Sequence, residues 1–155
     1  MRKYEADLLA LISGPVQEKP GASLPRYVRV NTLRGNLKRV TKHFQAEGFL
    51  EVVYDRKKQS YDEFLELVQK LTGEQYLLDY HIDNLLIFPP KTHFYDHALY
   101  KDGMILLQDK ASCLPVQALE IPFGSVVLDA CAAPGMKTSQ IVATVFRNGK
   151  SNGIY

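Results

Sequence analysis

Tryptophan is absent from this sequence, cysteine occurs only at Cys113 and Cys131, and no apolar run approaches the length of a membrane span. Two thiols cannot build a disulfide framework, and they form no pair with zinc-ligand spacing, so the expectation is an intracellular chain without a metal centre. The run Leu8 to Ile12 is too short for a signal core, which leaves no targeting segment and no membrane among the expected partners. Acidic residues are missing from Lys19 to Ala46, although the whole chain carries a net charge of only +2. Lys19, Arg26, Arg29, Arg34, Lys38, Arg39 and Lys42 stand unopposed in that stretch. An acid-free run of this kind can neutralise several phosphates, with Tyr27, His43 and Phe44 interleaved as stacking surfaces, which points to RNA. A solvated helix face beside an ordinary strand accounts for the same letters, and both readings stand at this point.

Glycine is scarce where a phosphate-binding loop would need it. Val126-Val127-Leu128 leads into Asp129-Ala130-Cys131-Ala132-Ala133-Pro134-Gly135-Met136-Lys137-Thr138, a pattern of strand, tight small-residue loop and helix. A Walker A loop ending at Lys137-Thr138 requires glycines at the positions of Cys131 and Met136, which excludes it. A dinucleotide fingerprint requires three glycines and finds Gly135 alone. What remains is a loop whose short side chains let a ligand approach the backbone, followed by helix amides at the positive end of a dipole. Pro134 stiffens the loop through its fixed φ. Such a place suits a small ligand with an anionic group.

The Asp-Ala-Cys-Ala-Ala-Pro-Gly-x-Lys-Thr letters resemble the cofactor loop of the Nop/Sun RNA cytosine-C5 methyltransferases. Two further segments carry the resemblance. Leu24-Pro25-Arg26-Tyr27-Val28-Arg29-Val30-Asn31-Thr32-Leu33 is similar to the family's Arg-Val-Asn-Thr segment, and Gly103-Met104-Ile105-Leu106-Leu107-Gln108-Asp109-Lys110-Ala111-Ser112 to its Gln-Asp-x-Ala-Ser segment. Together the three ordered motifs cover about residues 24 to 150 and most resemble the eukaryotic branch that methylates large-subunit ribosomal RNA.

The resemblance implies an α/β fold. The expected organisation is a helix and linker over residues 1–23, a small α/β RNA-contacting domain over 24–100, and the truncated start of a Rossmann-like methyltransferase domain over 101–155. It implies that Cys131, Ala132, Ala133, Pro134, Gly135, Met136 and Lys137 hold the methionine and ribose part of S-adenosyl-L-methionine, with Lys137 near the carboxylate. Arg26, Arg29, Arg34, Lys38, Arg39 and Lys42 become RNA contacts, the RNA being ribosomal, with no DNA expected and a nuclear or nucleolar place of action. Met136 departs from the family's Gly or Asn, and at a backbone position with φ > 0 its side chain meets a steric cost that weakens cofactor binding.

The family's reaction adds a cysteine thiolate to C6 of cytosine so that C5 can attack the activated methyl group, and the resemblance places the working cysteines beyond Tyr155. A fragment without catalytic residues is therefore expected. The alternative is a non-catalytic RNA-binding module with a remnant loop. Cys131 sits at a helix start, where thiolates are favoured, yet in the family its position belongs to the cofactor loop and not to the nucleophile. Cys113, among Leu114, Val116 and Leu119, reads as a small core residue.

With 155 residues, 46% of them hydrophobic, the chain can form one small domain and part of another. Tyr4 to Ser13 predicts a helix ending at Gly14-Pro15. Asn36 caps a predicted helix carrying Leu37, Val40, Phe44 and Ala46 and closed by Gly48, and Tyr61 to Leu71 repeats the pattern. Strands are predicted at 27–30, 52–54, 76–78, 85–88, 104–107 and, buried, at 125–130, with helices at 110–119 and 137–146. Strand 104–107 is expected to open the doubly wound sheet, and strand 126–129 to lack neighbours for part of its backbone and apolar surface. His81, His93 and His97 with Asp79, Asp83 and Asp96 form a loose group with the residue types to bind metal, read instead as surface or interface. Asp109 reads either as a helix N-cap or as a ligand contact.

Overall fold

The structure is a computed structural model that describes residues 24–151, with side chains as far as Phe146. The predicted helix at Tyr4 to Ser13 and its linker lie outside the described residues. Five strands, β1 (Arg26–Val30), β2 (Leu50–Glu51), β3 (Gln75–Leu78), β4 (Leu85–Phe88) and β5 (Ile105–Leu107), form one sheet in the order β2-β3-β4-β1-β5. Only β2 and β3 run parallel; β4 pairs antiparallel with β3 and with β1, and β1 antiparallel with β5.

Helix α1 (Leu37–Ala46) forms where the caps call for it. Asn36 is extended and accepts the Arg39 amide at 2.9 Å, and Gly48 takes φ +96° after the last turn. Helix α2 (Tyr61–Lys70) starts from a capping box, in which the Ser60 amide donates to Glu63 Oε2 at 2.6 Å and the Glu63 amide to Ser60 Oγ at 3.3 Å. Helices α3 (Ala98–Lys101), α4 (Lys110–Ala118) and α5 (Met136–Ser151) complete the described chain. Among the described residues no helix is long and apolar enough to cross a membrane.

Side-chain alternation along β1 decides what covers each face of the sheet. Val28 and Val30 join Val40 and Phe44 of α1 in the largest core cluster, with Tyr76, Leu86, Phe88 and Phe94. Tyr27 and Arg29 face the other way. Tyr27 packs against Phe64, Leu77 and Ile87 on the α2 side and against Ile82, Leu85 and Cys113 near α4. The sheet is therefore covered by α1 on one face and by α2, α4 and the start of α5 on the other.

Three expectations change. In place of the strand expected at 52–54 there is the two-residue β2, which ends just before the expected strand begins. The strand expected to open a second sheet is β5, paired with β1 through Val28 opposite Leu107 and Val30 opposite Ile105, so the first sheet runs past residue 100. The stretch 125–130, expected as a buried strand, has no strand pairing, and Val126 is 101% and Leu128 92% exposed. Its apolar letters were legible, but a strand forms only beside a partner. The expectation that its apolar surface lacks neighbours agrees with this arrangement.

Candidate cofactor loop and nucleic-acid interface

The small-residue loop folds into a clasped bend. Asp129 accepts the Cys131 amide at 2.9 Å through Oδ1 and the Thr138 hydroxyl at 2.6 Å through Oδ2, so one carboxylate ties the entry of the loop to the first turn of α5. The Thr138 hydroxyl, and secondarily the Cys131 amide, hold the Asp129 carboxyl below the ordinary aspartate value. Cys131, Ala132, Ala133 and Pro134 are exposed, and Gly135, at φ +100°, has no atom within 4 Å of where a Cβ would stand. The loop thus offers bare backbone to solvent beside a helix N-terminus. Met136 does not carry the expected strain: it is the first residue of α5, and the positive φ falls on Gly135. Lys137 Nζ lies 3.5 Å from Ser112 Oγ, which brings the loop and the first turn of α4 together. Beside the bend, Val127, Thr138, Ile141, Val142, Val145 and Phe146 line an apolar groove of about 310 Å³.

Arg29 was expected on an RNA-facing surface and is instead completely buried. Its Nε donates to Gln108 Oε1 at 2.6 Å, and its Nη2 to Met136 O at 3.1 Å and to Ser139 Oγ at 2.7 Å. Gln108 Nε2 in turn donates to Gln140 Oε1 at 3.1 Å, and Gln140 Nε2 to Cys113 O at 3.1 Å. Burial lowers the guanidinium pKa from its usual value. Sequence reasoning missed this role although β1 carried the signal: Arg29 alternates with Val28 and Val30, and both faces of the sheet are covered.

The remaining basic residues divide by exposure. Arg34, Lys38, Arg39 and Lys42 are exposed, and among the described residues none of them belongs to an ion pair. Arg26 is half-buried. Of the expected stacking surfaces, Phe44 is fully buried and Tyr27 is packed into the core; His43 alone faces solvent.

His43, His81 and His97 serve the scaffold, while His93 is exposed. His97 caps α3 by accepting the Leu99 amide on Nδ1 at 3.1 Å, which leaves its Nε2 proton to donate to Glu47 at 2.7 Å. His43 Nε2 lies 3.2 Å from the other oxygen of Glu47. Two histidines and a carboxylate therefore converge, but a cation on His97 Nε2 would displace the proton that this tautomer carries and would disturb the α3 cap. His81 contacts Lys110 Nζ at 2.9 Å, and the same ammonium pairs with buried Asp79 at 2.7 Å, pinning α4 to the β3–β4 connection. Asp109 occupies the N-cap position of α4 without donating or accepting a side-chain cap bond, and it is exposed. Cys113 is buried, and burial pushes its thiol up to about 11.

Residues 24–108 match the NOL1/NOP2/Sun domain family member 5 ferredoxin-like domain. A 28S rRNA (cytosine-C(5))-methyltransferase of Mus musculus is 44% identical over 144 residues, covering 93% of this chain and 29% of the relative. The 26S rRNA (cytosine-C(5))-methyltransferase nsun-5 of Caenorhabditis elegans is 38% identical over 128 residues, covering 82% of this chain and 28% of the relative. This chain thus spans about a third or less of the length of the curated relatives it matches. The crystal structure of PH0851 shares the fold with a TM-score of 0.59 at 19% identity, over 92% of this chain and 28% of that one.

Proposed function

Given that the chain belongs to the NOL1/NOP2/Sun domain family, through the ferredoxin-like domain of its member 5, we propose that it contributes the RNA-contacting domain and the first half of the S-adenosyl-L-methionine site of a ribosomal RNA cytosine-C5 methyltransferase. The observation that carries this reading is the clasped loop: bare backbone from Cys131 to Gly135, an adjoining helix start, and the Lys137 ammonium beside it. The residues fit the ligand. Ala132, Ala133 and Gly135 leave room for a methionine tail to lie against the backbone, while the helix-start amides and Lys137 attract its carboxylate. The bound cofactor supplies an electrophilic methyl group, and the chain's own residues bind and orient it. The nucleophilic thiol is not assigned to this chain, since Cys113 is buried and Cys131 lies in the loop itself.

Arg34, Lys38, Arg39 and Lys42, with Arg26 at their margin, are the proposed phosphate contacts. Helix α1 and the start of α5 cover opposite faces of the sheet, so an RNA that touches both α1 and the cofactor loop before α5 passes round a sheet edge. Ribosomal RNA, the substrate class named for the relatives, is the proposed substrate here as well, and the nucleolus is the proposed place of action. The domain boundary is proposed after β5, since that strand completes the first sheet. Isothermal titration with S-adenosyl-L-methionine tests the reading: saturable one-to-one binding is the expected result, and no heat of binding, with RNA binding retained, would leave only a non-catalytic RNA-binding module.

A further inference from the structure

A guanidinium buried without a carboxylate is an expensive thing to keep. Among the described residues Arg29 has no ion-pair partner, its side chain is 0% exposed, and its Nη1 finds no hydrogen-bond partner. An apolar side chain of similar length would fill the same space without the desolvation cost. The two bonds from Nη2 run from an interior strand of the sheet, β1, which is paired on both sides, to Met136 O and Ser139 Oγ in the first turn of α5. A cation at that end of a helix also opposes the helix dipole. The arrangement lowers stability at this point and gains a fixed position for one short segment.

That segment is the exit of the small-residue loop. Its entry has no strand pairing, so the sheet holds the bend from one side only. Farther along α5, Gln140 anchors the helix through Gln108 and Cys113 O, whereas Arg29 alone among these side chains contacts the turn at Met136 itself. The geometry points to Arg29 as the positioning residue of the methyl-donor loop, acting through Met136 O and Ser139 Oγ to set where the Gly135-Met136-Lys137 turn stands relative to the RNA-contacting sheet. This rests on the cofactor reading of the loop. It adds a residue from an interior strand of the other domain's sheet, and that residue does not itself touch the ligand.

The fork geometry makes a sharp test, because lysine keeps the charge but carries all its donors on one nitrogen, where Arg29 uses Nε for Gln108 and Nη2 for Met136 O and Ser139. Arg29→Met and Arg29→Lys in the full chain should each weaken S-adenosyl-L-methionine binding about tenfold by titration calorimetry, and by similar factors. In amide NMR spectra the signals of Gly135, Met136, Lys137 and Ser139 should shift while those of Leu77, Leu86 and Ile87 hold. Donor binding within twofold of the parent, full rescue by lysine, or unmoved amides at 135–139 overturns the proposal. If the parent chain binds no donor, the cofactor reading fails, and the amide shifts alone then decide whether Arg29 positions the turn. Ser139→Ala removes one acceptor without touching β1 and covers the case in which the Arg29 variants do not fold. It should displace the same amides and weaken binding about threefold; unchanged spectra in that variant also refute the assignment.

Discussion

Replacing Phe44 by alanine should be among the most damaging single changes in the chain. Phe44 has no solvent exposure, and its ring lies 5.2 Å from Phe88, 5.3 Å from Phe49 and 5.8 Å from Phe94, all at steep edge-to-face angles. Truncating a core phenylalanine costs about 3–5 kcal/mol, and edge-to-face pairs add about 0.5–1.5 kcal/mol each beyond area burial. The position therefore belongs at the upper end, about 4–5 kcal/mol, against a total stability on the order of 5–15 kcal/mol for a domain. Leu128→Ala is the control. With Leu128 92% exposed, its truncation should stay within about 0.5 kcal/mol. Urea unfolding followed by far-ultraviolet circular dichroism gives both numbers from the midpoint at constant slope. A loss below about 1.5 kcal/mol for Phe44→Ala, or a comparable loss for Leu128→Ala, would refute the assignment of core and surface on which the fold description depends.

Thiol chemistry should separate the two cysteines: at pH 8 a thiol with its pKa pushed up to about 11 is roughly one part in a thousand ionised, so Cys113 should resist an aromatic disulfide reagent while exposed Cys131 reacts. Two equivalents reacting at one rate in the native state would contradict this. The Asp129 clasp should be pH-dependent in one direction. Its folded pKa lies below the ordinary value of 3.8, so the clasp is fully present above that value and is lost as the pH falls through the lower folded one. The Cys131 amide shift should follow that loss, and a midpoint above 3.8 would count against it. For RNA, Lys38→Glu with Lys42→Glu should reduce the slope of log affinity against log salt by about 1.4 on a single strand, if each lysine meets one phosphate. An unchanged slope would move the RNA contact elsewhere.

Much of the scaffold was legible because its signals are local. Asn36, Gly48 and the Ser60 to Glu63 box fix where α1 and α2 begin or end from short-range backbone bonding alone. The loop from Cys131 to Lys137 was legible as letters, but its clasp depends on the Thr138 hydroxyl reaching back to Asp129, and nothing in spacing alone orients that hydroxyl. Long-range relations were not legible. Arg29 looked like a solvent-facing charge because a charged residue in a basic stretch is usually hydrated, and only the packing of α4 and α5 on that face shows otherwise. The same limit applies to β5, whose apolar letters are compatible with either sheet, and to His97, whose partner Glu47 lies 50 positions away.

The bare strip at Val126 and Leu128 also governs how the protein behaves in a tube. Two aliphatic side chains standing in water next to an apolar groove, on a segment whose amides and carbonyls have no ladder, are an invitation to stickiness between molecules. Light scattering should therefore rise with concentration while circular dichroism stays constant. Val126→Lys should restore monodispersity without altering the melting point, giving a better-behaved sample for every titration described above.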